Sequence, residues 1–576
     1  LSGLPREAQI RYRPAMPTST FEDIAAGTPD LDDLATRNET WLASLAAAAD
    51  VEACLAVILD WDRARREFET WSNLVDLRFH QVTTDSAAIA DRDLSDQLSP
   101  RWTELEVAMK RSLIAHPLRG QLEDSLGAQV FALWEVDVLA FDPALKDDLV
   151  REAKLGGEYT SLLAGAELSF AGETLNLSTL TKYRVHADRD TRHDAERVHW
   201  DWFASNGEQL DRIYGDLVSL RTQMARQLGY ENFIELGYKR MLRIDYGREA
   251  VERFRAQVRE HVVPLARRLA EQQAATLGVD QLMAWDEPVR DPAGNPAPQG
   301  DHDWMMARAR EMFDDMGSGL GEFFRLMDSG GFLDLKSRSG KAGGGFCTNF
   351  PTHGMPFVYA NFNGTKGDVE VFTHEIGHAF QTYSSRKQRM VDTVWPTMES
   401  CEVHSMSLEF LTWPHMEKFF GDDAERFRKV HLAQSLTFLP YGTAVDHFQH
   451  EVYSRPEATA AERHEMWREM EKTYLPWRQW GDLPYAAKGG RWQAQQHVFG
   501  SPFYYIDYVL AQTCALQFLG RSRHDEAEAM AAYVALCGRG GEAPFQQLVR
   551  SAGLVSPFDE GCLAAVVNEA QELLGL

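Results

Sequence analysis

Five consecutive residues concentrate the chemistry of this chain: His374-Glu375-Ile376-Gly377-His378. Residues four apart share one face of an α-helix, so His374 and His378 can aim ring nitrogens at one ion. Glu375 projects about 100° away around the helix, where it can take a proton from a neighbouring water without ligating the ion. Neutral imidazoles suit zinc, and a set of three protein ligands leaves a fourth position for water. The pattern therefore supports metal-assisted hydrolysis with a carboxylate base. The competing reading is two histidines packed in a helix beside a solvated glutamate.

Such a site needs a third protein ligand. A third histidine ten residues after the first would supply one, but position 384 is Ser. The remaining source is a carboxylate on a second helix. The segment from Met398 to Glu409 offers Glu399, Glu402 and Glu409 among Met, Leu, Val and Cys, and spacing alone does not choose among them. Farther along, His497-Val498-Phe499-Gly500-Ser501-Pro502-Phe503-Tyr504-Tyr505-Ile506-Asp507-Tyr508 gathers one His and three Tyr. These donors could share the charge of a developing oxyanion. The same aromatics also suit a helix face in the core.

The elements that must position these residues read as mainly helical. From Phe21 to about Met283, amphipathic segments dominate, such as Leu210, Ile213, Tyr214, Leu217, Leu220, Met224 and Leu228 at three- and four-residue spacing. Thr365-x-x-Asp368 approximates a capping box ahead of the histidines. Val369, Phe372, Ile376, Ala379 and Phe380 then give that helix an apolar side. The glycine-rich stretch Gly340–Gly345 and the strand candidate Phe357–Phe362 precede it. Glu287–Gly300, with four prolines and two glycines, reads as a surface loop.

A length of 576 residues suggests two or three lobes. Hydrophobic residues at 44% and charged residues at 25% are typical of a globular protein. The formal charge of −27 argues against nucleic-acid binding, which needs clustered Lys and Arg. It does not by itself demand cationic ligands. Six scattered cysteines without a CxxC pair imply a reduced, cytoplasmic protein. Leu1 to Thr20 lacks the apolar region of a signal peptide. No apolar run approaches the roughly 18 residues of a membrane span, so no membrane partner is expected.

Three motifs in order carry a resemblance: Asn361-Phe362-Asn363-Gly364-Thr365-x-x-Asp368-Val369 leading into HEIGH, Glu402-x-x-Ser405-x-x-x-Glu409, and the HVFGSPFYYIDY segment. Together they resemble the oligoendopeptidase F branch of the thimet oligopeptidase family of zinc metallopeptidases. The resemblance implies one zinc ion (Zn2+) per chain held by His374, His378 and Glu402, with Glu375 as general base. It implies that Glu409 holds a ligand histidine in its tautomer, with Asp368 as a further support. His497 with Tyr504, Tyr505 and Tyr508 would meet the substrate carbonyl, Tyr504 and Tyr505 being alternatives. Gln381 stands where many relatives carry His.

The implied architecture is a large helical shell around a deep channel, with a small β-sheet next to the HExxH helix. Residues 1–190 would form a helical N-terminal region and 191–576 the catalytic region, fused into one body. An extended peptide could pair with the edge of the 357–362 strand, which makes Tyr359, Ala360 and Asn361 candidate substrate contacts. Gly344 and Gly345 could admit the substrate backbone closely or close over it. The expected function is internal cleavage of short unfolded peptides. Two alternatives stand beside it. One is a dipeptidyl carboxypeptidase, which would anchor a terminal carboxylate on a group such as Lys488 or Arg491. The other is a non-catalytic peptide binder with structural zinc, although no Cys is patterned as its fourth ligand.

Overall fold

The computed structural model describes residues 20–576. The expectation that no signal segment begins the chain falls, apart from Thr20, outside the described residues. The fold is mainly α, with a small hairpin of β1 (Leu168–Phe170) and β2 (Glu173–Leu175) and one three-stranded sheet. That sheet comprises β3 (Leu333–Lys336), β4 (Phe346–Phe350) and β5 (Met355–Phe362), in the order β3-β5-β4. β3 runs parallel to β5, and β4 pairs antiparallel with it from Phe346↔Tyr359 to Phe350↔Met355.

This order corrects one expectation. The 357–362 strand is the central strand, with β4 along one edge as far as Tyr359 and β3 along the other from Val358, so it is not an edge strand open to a peptide along its length. The edge strands are β3 and β4.

Six helices position the site: α1 (Val51–Gln81), α2 (Lys366–Ser385), α3 (Met398–Leu411), α4 (Ala424–Ser454), α5 (Tyr505–His524) and α6 (Glu526–Arg539). α1 starts at Asp50, whose carboxylate accepts the Ala53 N–H, an ordinary N-cap. The start of α2 differs from the expected capping box. Thr365 makes no side-chain cap bond. Instead Asp368 reaches back beyond the cap to accept the N–H groups of Asn363 (2.9 Å) and Gly364 (2.7 Å). Asp368 thereby fixes the turn between β5 and α2.

α3 lies between α2 and α5 and is buried almost throughout. The α2–α3 contact is made at Gly377. A Cβ built there would stand 2.6 Å from Ser405 Cα and 2.8 Å from the His404 carbonyl oxygen. Only a residue without a side chain lets the two backbones approach this closely.

The main hydrophobic core draws residues from Ile24 and Leu74 through to Ala570. A second cluster spans Leu31 to Trp134 and includes Met390. α1 is fastened to the connection between α2 and α3. Arg65 donates from both terminal nitrogens to Asp392 at 2.6 Å, and Asp62 accepts the Val391 N–H at 2.9 Å. Glu287–Gly300 is a loop as expected. Gln273 holds its start by donating to the carbonyls of Asp286, Glu287 and Val289. Among the described residues no helix is long and apolar enough to cross a membrane, and the six cysteines are unpaired.

Candidate active site

α2 and α3 bring His374, His378 and Glu402 together, with one ligand-capable atom from each lying within 4.8 Å of the others. Glu402 Oε2 is 3.1 Å from His374 Nε2 and 3.4 Å from His378 Nε2. Ligands bound at 2.0–2.1 Å around a tetrahedral ion are separated by about 3.3–3.4 Å, so the two Glu402 separations and the N2O donor set fit zinc. Burial disfavours charge on His374. Its bonds to Glu402 and Glu409 outweigh that, holding its pKa well above the ordinary value. The site thus favours positive charge where the three donors converge.

Each donor is supported from behind. Ser405 donates to Glu402 Oε2 at 2.8 Å, and Tyr504 donates its hydroxyl to Glu402 Oε1. Burial resists the Glu402 charge, but His378 and His374 lower its pKa well below the usual carboxylate range. Glu409 Oε1 lies 2.8 Å from His374 Nδ1, and Glu409 Oε2 lies 2.9 Å from His431 Nε2 on α4. Trp413 donates its indole N–H to His431 Nδ1 at 3.0 Å. An indole is only a donor, so neutral His431 carries its proton on Nε2 and must donate it to Glu409. The unbroken line Trp413–His431–Glu409–His374 fixes the tautomer of a candidate ligand.

Glu375 is buried beside this cluster, and its Oε2 has no partner among the described residues. Burial raises its pKa, against the pull of His374 and His378. Gly345 abuts it, since a Cβ there would stand 3.2 Å from Glu375 Oε1. His497 Nε2 is 3.0 Å from the Tyr508 hydroxyl, and its Nδ1 is 2.8 Å from Gln495 Nε2. Burial pushes the His497 pKa down to about 4, which leaves it neutral at neutral pH. Tyr441 completes that line by donating to Gln495 Oε1 at 2.8 Å.

A cavity of about 450 Å³ joins these groups; it is lined by His374, Glu375, His378, Glu402, His497, Tyr504 and Tyr508 together with β4. The two tyrosine alternatives separate here. Tyr504 lines the cavity, whereas Tyr505 packs outside it against Phe438 and Tyr441. Adjacent residues at a helix start point about 100° apart, and Phe503 just before them takes a left-handed φ of 68°, a conformation costing about 1–3 kcal/mol. Its peptide is clamped by Gln449, which accepts the N–H, and by Arg243, which donates to the carbonyl at 2.5 Å and to Asp507 at 2.9 Å.

Other expected site residues are placed elsewhere. Tyr359 and Ala360 are fully buried, and Tyr359 donates to the Ala342 carbonyl. Asn361 ties down the Ala342 and Gly344 carbonyls, so it shapes the glycine loop instead of facing the cavity. Gly345 lines the cavity; Gly344 lines a smaller neighbouring one of about 180 Å³. Glu399 turns away from the three donors and accepts from Thr397. Gln381 is buried and donates to Ser385 and the Val394 carbonyl. Lys488 is exposed, and Arg491 lies over Tyr441 and Trp200; neither lines the cavity.

Sequence reasoning missed His431, Arg243, and the α1 residues Glu69 and Asn73 that line the cavity. His431 stands 22 residues from Glu409 with no motif linking them. The α1 residues come from the far end of the chain, and only their i, i+4 spacing could have marked them as sharing a face.

Comparison with known proteins agrees with this arrangement. The family model described as "Peptidase M3 N-terminal domain" matches residues 21–141, and that described as "Peptidase family M3" matches 183–291 and 311–567. No curated protein matches the chain. Among solved structures, PZ peptidase A with an inhibitor is 41% identical with a TM-score of 0.95, covering 96% of this chain and 99% of its own. A structure named as an oligoendopeptidase F is 43% identical with a TM-score of 0.95, covering 97% and 99%. Another so named, from Bacillus anthracis str. Ames, is 41% identical with a TM-score of 0.91, covering 97% and 98%. With its helical shell, its His/His/Glu cluster and matches along most of its length, the chain belongs to peptidase family M3 and is a metallopeptidase.

Proposed function

We propose that the protein is a zinc-dependent endopeptidase acting on internal bonds of short, unfolded peptides. The observation that carries this reading is the convergence of His374, His378 and Glu402 on one point beside the unpartnered oxygen of Glu375. Those three side chains would hold the zinc. When bound, it supplies Lewis-acid polarisation of a water and of the substrate carbonyl.

The remaining work falls to the chain's own residues. Glu375 takes the proton of the attacking water on Oε2, and burial makes it a stronger base than an exposed glutamate. It then delivers that proton to the leaving amine. Tyr508 offers its hydroxyl to the developing oxyanion, backed by the neutral His497. Tyr504 supports Glu402 and borders the same space.

The substrate backbone has an edge to pair with in β4. Val358 sends its N–H away from β4 to the Phe332 carbonyl, so Cys347 opposite it forms a non-hydrogen-bonded pair. Cys347 therefore turns its own N–H and C=O to the open side. Backbone pairing of this kind gives affinity with little side-chain selectivity.

The direct test uses internally quenched peptides blocked at both termini, with mass spectrometry locating the cuts. Internal cleavage that is lost on chelation and restored by zinc is the expected result. Cleavage only of peptides with a free C-terminus would move the assignment to the carboxypeptidase alternative. Zinc bound without any cleavage would favour the binding-only alternative.

The His431 line makes a separate prediction. His431→Phe keeps an aromatic ring in the stack with Phe410 but removes the donor to Glu409. Zinc affinity measured by chelator competition should fall about 10–100-fold. His431→Gln, which can still donate, should recover part of the loss. Unchanged affinity in the Phe variant would deny the line any role in holding the metal.

A further inference from the structure

Glu69 is the charged side chain that the cavity does not otherwise use. Among the described residues lining it, the remaining carboxylates and imidazoles are His374, Glu375, His378, Glu402 and the neutral His497. Glu69 has no hydrogen-bond or ion-pair partner among the described residues. The arginines one turn before it are committed elsewhere: Arg65 to Asp392 and Glu106, Arg66 to Asp62 and the Gln388 carbonyl. Glu69 is half-buried in the cavity wall, and a carboxylate partly withdrawn from water is stabilised when a ligand cation pairs with it.

The position of Glu69 relative to the β4 edge is fixed by its neighbour. Asn73 lies one helical turn on, on the same face of α1, and donates to the Asn349 carbonyl at 2.9 Å. Glu69 and Asn73 both line the cavity, so Glu69 stands at the Asn349 end of the β4 edge. The other end, at Gly345, abuts Glu375. Four residues of strand separate the two ends, about 13–14 Å. A peptide paired along β4 would therefore bring a side chain about two to four residues from the scissile bond to Glu69.

We propose that Glu69 forms a subsite for a lysine or arginine side chain of the peptide, at a position removed from the scissile bond. The proposal rests on the reading of the cavity as a peptide cleft. Burial pushes the Glu69 pKa up to about 7; Arg65 and Arg66 pull it down, while Glu106 and Asp392 push it further up. Across the cavity, α2 and α3 add His374, Glu375, His378 and Glu402 to these four. The carboxylate gains charge as pH rises through about 7, so selection for a cation strengthens in that direction.

The test walks one Arg through a neutral, doubly blocked, quenched peptide of about ten residues, enough to span the edge. A matched series carries Gln instead, and kcat/KM is compared for the full-length protein and its Glu69→Gln and Glu69→Lys variants. At one position the wild type should prefer Arg over Gln by about tenfold, chiefly through KM. The preference should be larger at about pH 8 than at about pH 6. Glu69→Gln should reduce it to within about twofold, and Glu69→Lys should shift the preference at that position to Glu. No preferred position in the wild type, or a preference that survives in Glu69→Gln, overturns the subsite while leaving the endopeptidase reading intact. Failure of the wild type to cut any of these peptides, the neutral parent included, overturns that reading and the subsite with it.

Discussion

Glu375→Gln should leave zinc bound and lower kcat by about 10²–10⁴-fold, with little change in KM. The glutamine keeps the shape and the contact with Gly345 but cannot accept a proton. Glu375 is not among the three converging donors, so the metal should remain. Metal analysis of the purified variant, together with single-turnover cleavage of a blocked peptide, separates the two effects. A variant that keeps full activity would remove Glu375 from the mechanism. A variant that loses its metal would show that Glu375 holds the ion instead of acting on water.

The second large effect is expected at Gly377, which never touches substrate. An added methyl would meet Ser405 Cα and the His404 carbonyl oxygen, both backbone atoms that cannot rotate aside. α2 and α3 would have to separate, and they carry His374 and His378 on one side and Glu402 on the other. Gly377→Ala should therefore cost about 1–3 kcal/mol of stability. It should also lower zinc affinity and activity by more than tenfold, because the ligand set is divided between the displaced elements. Thermal unfolding with and without zinc would read this as a smaller stabilisation by the metal than in the wild type. Gly157→Ala is the control, since nothing lies within 4 Å of a Cβ there. Equal effects of the two substitutions would refute the packing argument.

The parts of the site that were legible in the sequence are those set by local periodicity. His374 and His378 sit one turn apart on a helix, and Ser405 bonds Glu402 from one turn away on α3. Such spacings survive any tertiary arrangement. The identity of the edge strand was not legible in this way. The Phe357–Phe362 stretch looks like a strand by composition, but whether a strand is central depends on partners chosen in three dimensions. Tyr504 and Tyr505 could not be separated because they are adjacent and the spacing of the motif does not fix which one faces the site. His431 and Glu69 were illegible for a further reason, since each acts across a distance in sequence that no motif spans. The helical fold itself followed from amphipathic spacing and was borne out.

The bond between Arg65 and Asp392 has a consequence for how the molecule comes into being. Its partners are 327 residues apart, and it pins the connection between the helices that carry the candidate metal ligands. At about 5–20 residues per second, a ribosome takes roughly 16–65 s to travel from one partner to the other. Tyr504, which supports Glu402, emerges later still. A nascent chain therefore carries HEIGH for some time before the surrounding cleft can close around it. Peptide-cutting ability would be withheld from partial chains and would arrive only after Tyr504 and Tyr508 have been made.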